Sequence, residues 1–256
     1  DRPARHHNLW RLFDYSWQML AEADRQAALR LSVLRGSFSP EAALAIADCP
    51  PEVLKRLIQS SFIGQTSAYR LVLHPLVRQF LTEQATQAGY DVAELENRFM
   101  EVTLAWTSEQ GSRLRQTFKA ACFQALHAEW RHVERAWWLA VDRRRYDLLE
   151  SCLDLLFYFE ARGTWGQGNA FFAATRQKLP TTNRRIQARL DEAQAFMAVR
   201  LLDLPRAVKL AKRSLQTLQD LGFDAQNDDA GKYAQVILVT ANHALKQTAF
   251  SEEDEV

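Results

Sequence analysis

From Leu9 onward the chain repeats apolar positions with the period of an α-helix. Leu9, Leu12, Phe13, Trp17 and Leu20 recur at spacings of three and four, which places them on one helical face. Residues 1–8 are polar and carry no such period. A second apolar side follows in Ala28, Leu29, Leu31, Val33 and Leu34, with Gly36 as its stop. Ser39-Pro40-Glu41 combines an N-cap, a proline at N1 and an acid in the first turn, so a third helix is expected from Ala42 to Ala47. Pro50-Pro51-Glu52 opens a fourth, with Val53, Leu54, Leu57 and Ile58 facing inward.

The period then shortens. Ser61-Phe62-Ile63-Gly64 is short and apolar, Tyr69-Arg70-Leu71-Val72-Leu73 alternates, and Gln65-Thr66-Ser67-Ala68 between them can turn, which predicts a β-hairpin. His74-Pro75 opens a helix that reaches about Ala88. Helices, a hairpin and a closing helix make a winged-helix arrangement, bounded at Gly89. From Asp91 only helices are expected, over 91–108, 113–126, 128–143, 145–161, 167–178, 184–202, 204–221 and 230–247. Their breaks carry Gly111, Gly163, Pro180, Pro205 and Gly222. Helix pairs with short connections predict an α-solenoid. Gly168, Phe172, Thr175 and Pro180 match the second half of a tetratricopeptide-like unit, and Ala195, Ala207, Ala211 and Ser214 match the next. The interval from Gly168 to Ala207 exceeds the usual repeat length of about 34 residues, so the repeats are degenerate. The expected fold class is mainly α: a winged-helix domain (1–89), connecting helices (90–126) and a tetratricopeptide-like helical domain (127–256). The tail Ser251–Glu255 is acidic and expected to fray.

Composition narrows the chemistry. The 256 residues carry 32 Lys+Arg against 31 Asp+Glu, a formal net charge of +1, which disfavours a strongly basic nucleic-acid binder. Glycine is scarce at 9 residues, which favours helices over tight-turned sheets and phosphate-cradling loops. Cys49, Cys122 and Cys152 are far apart and odd in number, the usage of reduced thiols and not of a disulfide framework or zinc site. No apolar run reaches the ~18 residues that span a bilayer, and no signal peptide opens the chain. A cytoplasmic protein is expected. The chain opens at Asp1 inside what reads as a longer segment.

No motif of catalysis is present. GxxxxGK[ST], GxSxG and HExxH are all missing. The cluster Gly163-Thr164-Trp165-Gly166-Gln167-Gly168 has no following lysine and no preceding strand, so it reads as a loop and a helix crossing. His127 and His132, five residues apart, lie on different helical faces and are poor metal partners. Glu129 and Glu134 read as solvated charges. Trp130, Val133, Trp137 and Val141 share a face and read as core, whereas Trp138 or Trp165 could line a concave partner surface. Arg143-Arg144-Arg145 reads as a solvated helix end. In residues 1–90 there are ten Lys+Arg and eight Asp+Glu, a net of +2. The expected third winged-helix helix offers only Lys55 and Arg56 as cations, with Gln59 and Ser60.

Several segments resemble a known family. Pro3-Ala4-Arg5-His6 with Phe13-Asp14-Tyr15-Ser16-Trp17 is similar to the segment after the nucleotide-binding region of STAND proteins, the signal-transduction ATPases with numerous domains. Leu31 to Phe38 followed by Glu41-Ala42-Ala43 is similar to the same family. So are Leu54, Leu57, Ser60 and Ser61, and so are Tyr69-Arg70-Leu71 with Leu73-His74-Pro75-Leu76-Val77-Arg78-Gln79-Phe80. The stretches His127–Trp130, Trp137–Ala140 and Phe159–Gly163 resemble the helical region that follows the winged helix in bacterial members. The resemblance is strong over residues 3–82 and looser beyond 126.

This resemblance implies a regulatory and sensor tandem that is not itself an enzyme. The winged helix would pack on the nucleotide-binding domain of the same chain and hold the ADP-bound off state. The helical repeats would receive an inducer or protein partner. His74 matches the histidine of the family's Met-His-Asp motif, which implies a contact to the ADP β-phosphate. Pro75 stands where the motif has its acid, and Ser37 where the family has a second glycine. No cofactor is expected in this chain, and ADP or ATP with Mg is expected in the longer ATPase. No membrane partner is implied. Two other functions remain open at this level: a DNA-binding winged-helix regulator with a helical sensor, and a tetratricopeptide scaffold for a peptide.

Overall fold

The structure, a computed structural model, describes residues 4–66, 69–151, 153–223 and 231–253. Its first elements are α1 (Ala4–Gln18), α2 (Glu22–Leu31), β1 (Ser37–Phe38), α3 (Pro40–Ala47), α4 (Pro51–Gln59), β2 (Gly64–Gln65), β3 (Leu71–Val72) and α5 (Pro75–Gln87). There follow α6 (Val92–Thr117), α7 (Ala120–Ala128) and α8 (Trp130–Asp142). The fold is mainly α and divides into two compact units. Residues through Thr103 together with Glu129–Ala136 form the first, and Leu104–Ala128 with the residues from Trp137 onward form the second.

In the first unit, α2, β1, α3, α4, β2, β3 and α5 follow the order of a winged helix. The sheet has the order β1-β3-β2 with both pairings antiparallel. Ser37 opposes Val72 and Phe38 opposes Leu71, while Gly64 and Gln65 oppose the same two residues from the other side. The expected hairpin is therefore present, with short strands, and Ser67 and Ala68 of its turn lie outside the described residues. The strand β1 has no counterpart in the sequence reading, because two residues are too few to show alternation. Its Phe38 is fully buried with Leu31, Leu34, Leu57 and Phe80, and Trp17 meets Phe80 and Phe62 edge-on or nearly so.

The helix starts follow local chemistry. Ser39 Oγ accepts from the Ala42 N–H at 3.1 Å, with Pro40 at N1, as Ser-Pro-Glu predicts. Helix α1 begins at Ala4, earlier than the apolar period announced it. Ala4 and Arg5 are good helix formers, and a polar turn leaves no stripe to read. Helix α2 ends at Leu31, so Gly36 lies beyond it, in the turn into β1.

The second unit contains α9 (Tyr146–Ser151), a 3-10 turn at Leu153–Leu155, α10 (Leu156–Arg162), α11 (Trp165–Lys178), α12 (Arg184–Arg200), α13 (Leu204–Asp220) and α14 (Lys232–Glu253). Successive helices pack on one another, with α12 against α11, α13 and α14. This is the expected solenoid of degenerate helix pairs. Small residues sit where the helices cross: Ala195, Ala198, Ala207, Ala211, Ala234 and Ala241 are buried around Leu210 and Ile237. Helix α14 continues to Glu253 through part of the tail expected to fray. The rest of that tail, like Cys152, lies outside the described residues.

Two expected boundaries moved. Helix α6 runs straight through Gly111, where a break was expected. A Cβ at Gly111 would lie 3.1 Å from Asp154 Cβ and 3.3 Å from the Asp154 carbonyl carbon, so this glycine admits a close backbone approach and does not end the helix. The helix expected over 145–161 is instead two short helices with the 3-10 turn between them, and it is this turn that approaches Gly111.

Candidate functional site

The wing leads directly to His74. Leu71 and Leu73 are buried, which anchors the strand, and His74 then takes the N-cap position of α5 with Pro75 at N1. Proline has no N–H, so the first helical donor that needs an acceptor is that of Leu76. His74 Nδ1 accepts from it at 3.3 Å, and the His74 carbonyl accepts from Arg78 N at 2.9 Å. With Nδ1 engaged as an acceptor, the neutral ring carries its hydrogen on Nε2. The residue is exposed. His74 is thus fixed at its base and keeps one N–H donor on an accessible edge.

Behind it, one arginine ties the wing to a later part of the same unit. Arg70 donates from Nε to Ser37 Oγ at 3.1 Å and from Nη2 to the Ser37 carbonyl at 2.8 Å. Its Nη1 donates to Glu129 Oε1 at 2.7 Å. The other carboxylate oxygen, Oε2, lies 2.7 Å from His132 Nδ1. Burial alone would raise the Glu129 pKa, but hydrogen bonds from His132 and Arg70 hold it below the usual value. With Glu129 ionised, Nδ1 of His132 is the donor, and its buried Nε2 faces no partner among the described residues. The Phe99 ring lies edge-on at 6.0 Å. Glu129 is therefore not the solvated charge its sequence context implied. Its local sequence does not announce this, because the charged partner, Arg70, lies 59 residues earlier. His127, in the second unit, meets Tyr158 Oη at 3.1 Å.

The expected recognition helix α4 has one cation fewer to offer than its sequence advertised. Arg56 grips Asp24 of α2 with both edges of its guanidinium, Nε to Oδ2 at 2.8 Å and Nη2 to Oδ1 at 2.7 Å. Asp24 is buried, and the Arg56 hydrogen bond holds its carboxyl below the usual aspartate range. Of the two basic residues on α4, only Lys55 is left without such a clamp. A duplex reader relies on several phosphate contacts.

In the second unit Trp137, Trp138 and Trp165 each have partners within the protein. Trp137 is fully buried, donates from Nε1 to Thr175 Oγ1 at 2.8 Å, and packs on Phe171 with ring centroids 4.9 Å apart. Trp138 lies against Phe171 and under Lys178 Nζ at 4.9 Å, and Trp165 Nε1 donates to Glu160 Oε2 at 2.9 Å. Buried Asp191 of α12 is flanked by Arg176 of α11 and Arg213 of α13, each at 2.6 Å. One carboxylate thus joins three consecutive helices. Neighbouring Glu192 accepts from the Ala234 N–H of α14 at 3.0 Å.

Among the described residues, no group of three His, Cys, Asp or Glu is placed to hold a metal ion. No helix among them is long and apolar enough to cross a membrane.

No protein-family model matches the chain, and no curated protein does. Among solved structures, the chain is similar to a Signal Transduction ATPase with Numerous Domains (STAND) protein with a tetratricopeptide repeat sensor from Pyrococcus horikoshii. The two are 14% identical, with a TM-score of 0.40, over 90% of this chain and 36% of that one. The chain thus spans about a third of the length of its structural neighbour.

Proposed function

We propose that this chain is the non-catalytic regulatory and sensor tandem of a STAND ATPase. In this reading the winged helix packs on a nucleotide-binding domain of the same chain and holds its ADP-bound off state. The helical repeats of the second unit receive an inducer or protein partner. The observation that carries the proposal is His74: an exposed imidazole at the N-cap of the helix that closes the winged helix, its Nδ1 spent on Leu76 and its Nε2 left as a donor. That edge suits a phosphate oxygen. Pro75, in place of the motif's acid, contributes by leaving the Leu76 N–H to the ring, which fixes the ring's tautomer.

The contact biases the off state only by the difference between its strength to ADP and to ATP. A hydrogen bond to a charged group is worth about 1.5–3 kcal/mol, or about one to two orders of magnitude in population. The test is the dissociation rate of a fluorescent ADP from the full open reading frame, wild type against His74→Ala. Release 10- to 100-fold faster is expected, with raised basal activity. An unchanged rate removes His74 from the nucleotide site. Arg56, already bound to Asp24, makes the DNA-binding alternative the poorer account of α4.

A further inference from the structure

The first unit contains a cavity of about 130 Å³ whose charged lining is Arg35, Arg78, Arg135 and Glu96. Arg35 comes from the turn after α2, Arg78 from α5, Glu96 from α6 and Arg135 from α8. Three cations and one anion give the lining a net charge of +2.

Arg135 is held in place: Nη2 donates to Glu96 Oε1 at 2.8 Å, Nη1 donates to the Val33 carbonyl, and the guanidinium lies over the Phe99 ring at 4.7 Å. Glu96 thus faces a largely buried Arg135, its own side chain 23% exposed and that of Arg135 15%. Arg35 and Arg78 have no hydrogen-bonded acid or carbonyl partner for their side chains among the described residues. The two hydroxyls in the lining have their hydrogens committed, Ser32 Oγ to the Leu29 carbonyl at 2.6 Å and Thr82 Oγ1 to the Arg78 carbonyl at 2.9 Å. The donors left to the cavity are guanidinium N–H groups.

The arginines act on one another. Burial, and then the nearby charge of Arg35, push the Arg135 pKa down to about 10, with Arg78 adding to the repulsion and Glu96 opposing it. Guanidinium groups keep their proton in proteins, so the cluster stores repulsion that one internal carboxylate does not cancel. An anion seated among them relieves it. Planar guanidinium forks converging from three helices or turns suit the oxygens of a tetrahedral oxyanion. The volume is below the roughly 300–1,000 Å³ of pockets that enclose a drug-sized ligand, so the occupant is a small ion or the end of a larger molecule.

We propose that Arg35, Arg78 and Arg135 form a binding site for a phosphoryl group, either free inorganic phosphate or the terminal phosphate of a nucleotide. The site stands on its own residues and does not need the His74 reading, although His74 and Arg78 are four residues apart and so share a face of α5.

The experiment is calorimetric titration of the whole 256-residue chain with inorganic phosphate, ADP and adenosine at low ionic strength, with sodium chloride as the matched salt control. Arg35→Gln/Arg78→Gln is the test variant. Neither side chain has a partner to lose and the change relieves repulsion on Arg135, so its unliganded melting temperature should match or exceed that of wild type. Saturable phosphate binding that weakens about tenfold or more in the double variant is expected. No saturable heat with phosphate or ADP, or equal affinity in wild type and variant, overturns the site. Tighter binding of ADP than phosphate, with adenosine inert, assigns the occupant to a nucleotide terminus. Equal affinity assigns it to the free ion. Because His74 is intact in both proteins, failure here leaves the His74 prediction standing, and the reverse holds.

Discussion

Replacing Gly168 by alanine should destabilise the protein, against the usual preference of a helix for alanine. Gly168 lies within α11, where that preference alone favours alanine by about 1 kcal/mol. The added Cβ, however, would stand 2.8 Å from Phe159 Cγ, 2.9 Å from Phe159 Cβ and 3.1 Å from Met197 Sδ. The methionine sulfur can yield, but the Phe159 contacts are close to its backbone. Its ring is also packed against Tyr158, Phe171 and Phe172. Overpacking a core of this kind costs about 1–3 kcal/mol, and the inflexible neighbour places this site in the upper half of that range. The net loss is then about 1–2 kcal/mol, or about 2–8 °C in melting temperature for a chain of this size. Gly166 supplies the control. It lies in the same helix, two residues earlier, and a Cβ there meets nothing within 4 Å, so Gly166→Ala should be neutral or raise the melting temperature. Far-UV circular dichroism melts of the three proteins measure both effects. If Gly168→Ala melts at or above wild type, or if the two variants shift together, the close helix crossing is not what selects glycine at 168.

Two further substitutions probe buried polar contacts. Thr175→Val keeps the side chain's shape but removes the acceptor for the Trp137 indole N–H, both residues being fully buried. An orphaned buried donor costs about 1–3 kcal/mol, so the urea midpoint should fall for Val, and fall less for Ser, which keeps the acceptor and loses only a buried methyl. For Asp24→Asn the effect should depend on pH. The folded Asp24 pKa lies below its ordinary 3.8, so its stabilising pairing with Arg56 is complete above about pH 4 and is lost as pH falls through the folded value. The melting-temperature gap between wild type and Asp24→Asn should therefore be open at pH 7 and close in acid. A gap that persists or widens in acid contradicts the pairing.

What the sequence reveals and hides here follows the range of the interactions. Caps and stops act within four residues, and Ser39, Pro40 and Pro51 were legible for that reason. The small residues of the helix crossings were legible too, because Gly168, Ala207 and Ala211 repeat a local spacing. Gly111 misled because a glycine that interrupts a helix and one that admits a neighbour look alike until Asp154 is placed beside it. Glu129 misled for the same reason, its partners Arg70 and His132 being one distant and one only three residues away. The arginines of the cavity come from positions 35, 78 and 135, and no local pattern joins them. His74 is the intermediate case: its N-cap role follows from the His-Pro pair, whereas its functional reading came from a family resemblance.

The winged-helix unit is completed by Glu129–Ala136, which the chain supplies only after Leu104–Ala128 has entered the other unit. This interleaving limits how the protein can be inherited. A recombination breakpoint at Gly89, where the sequence invites one, would transfer the wing without Glu129, His132 and Arg135. Arg70 would then lose its carboxylate, and the cavity one of its three cations. A breakpoint at residue 126 would likewise deprive the solenoid of most of Leu104–Ala128. The two units are therefore expected to pass between genes together, as one cassette, so that a lineage that replaces its helical repeats must keep the stretch from α6 to the start of α8 along with its winged helix.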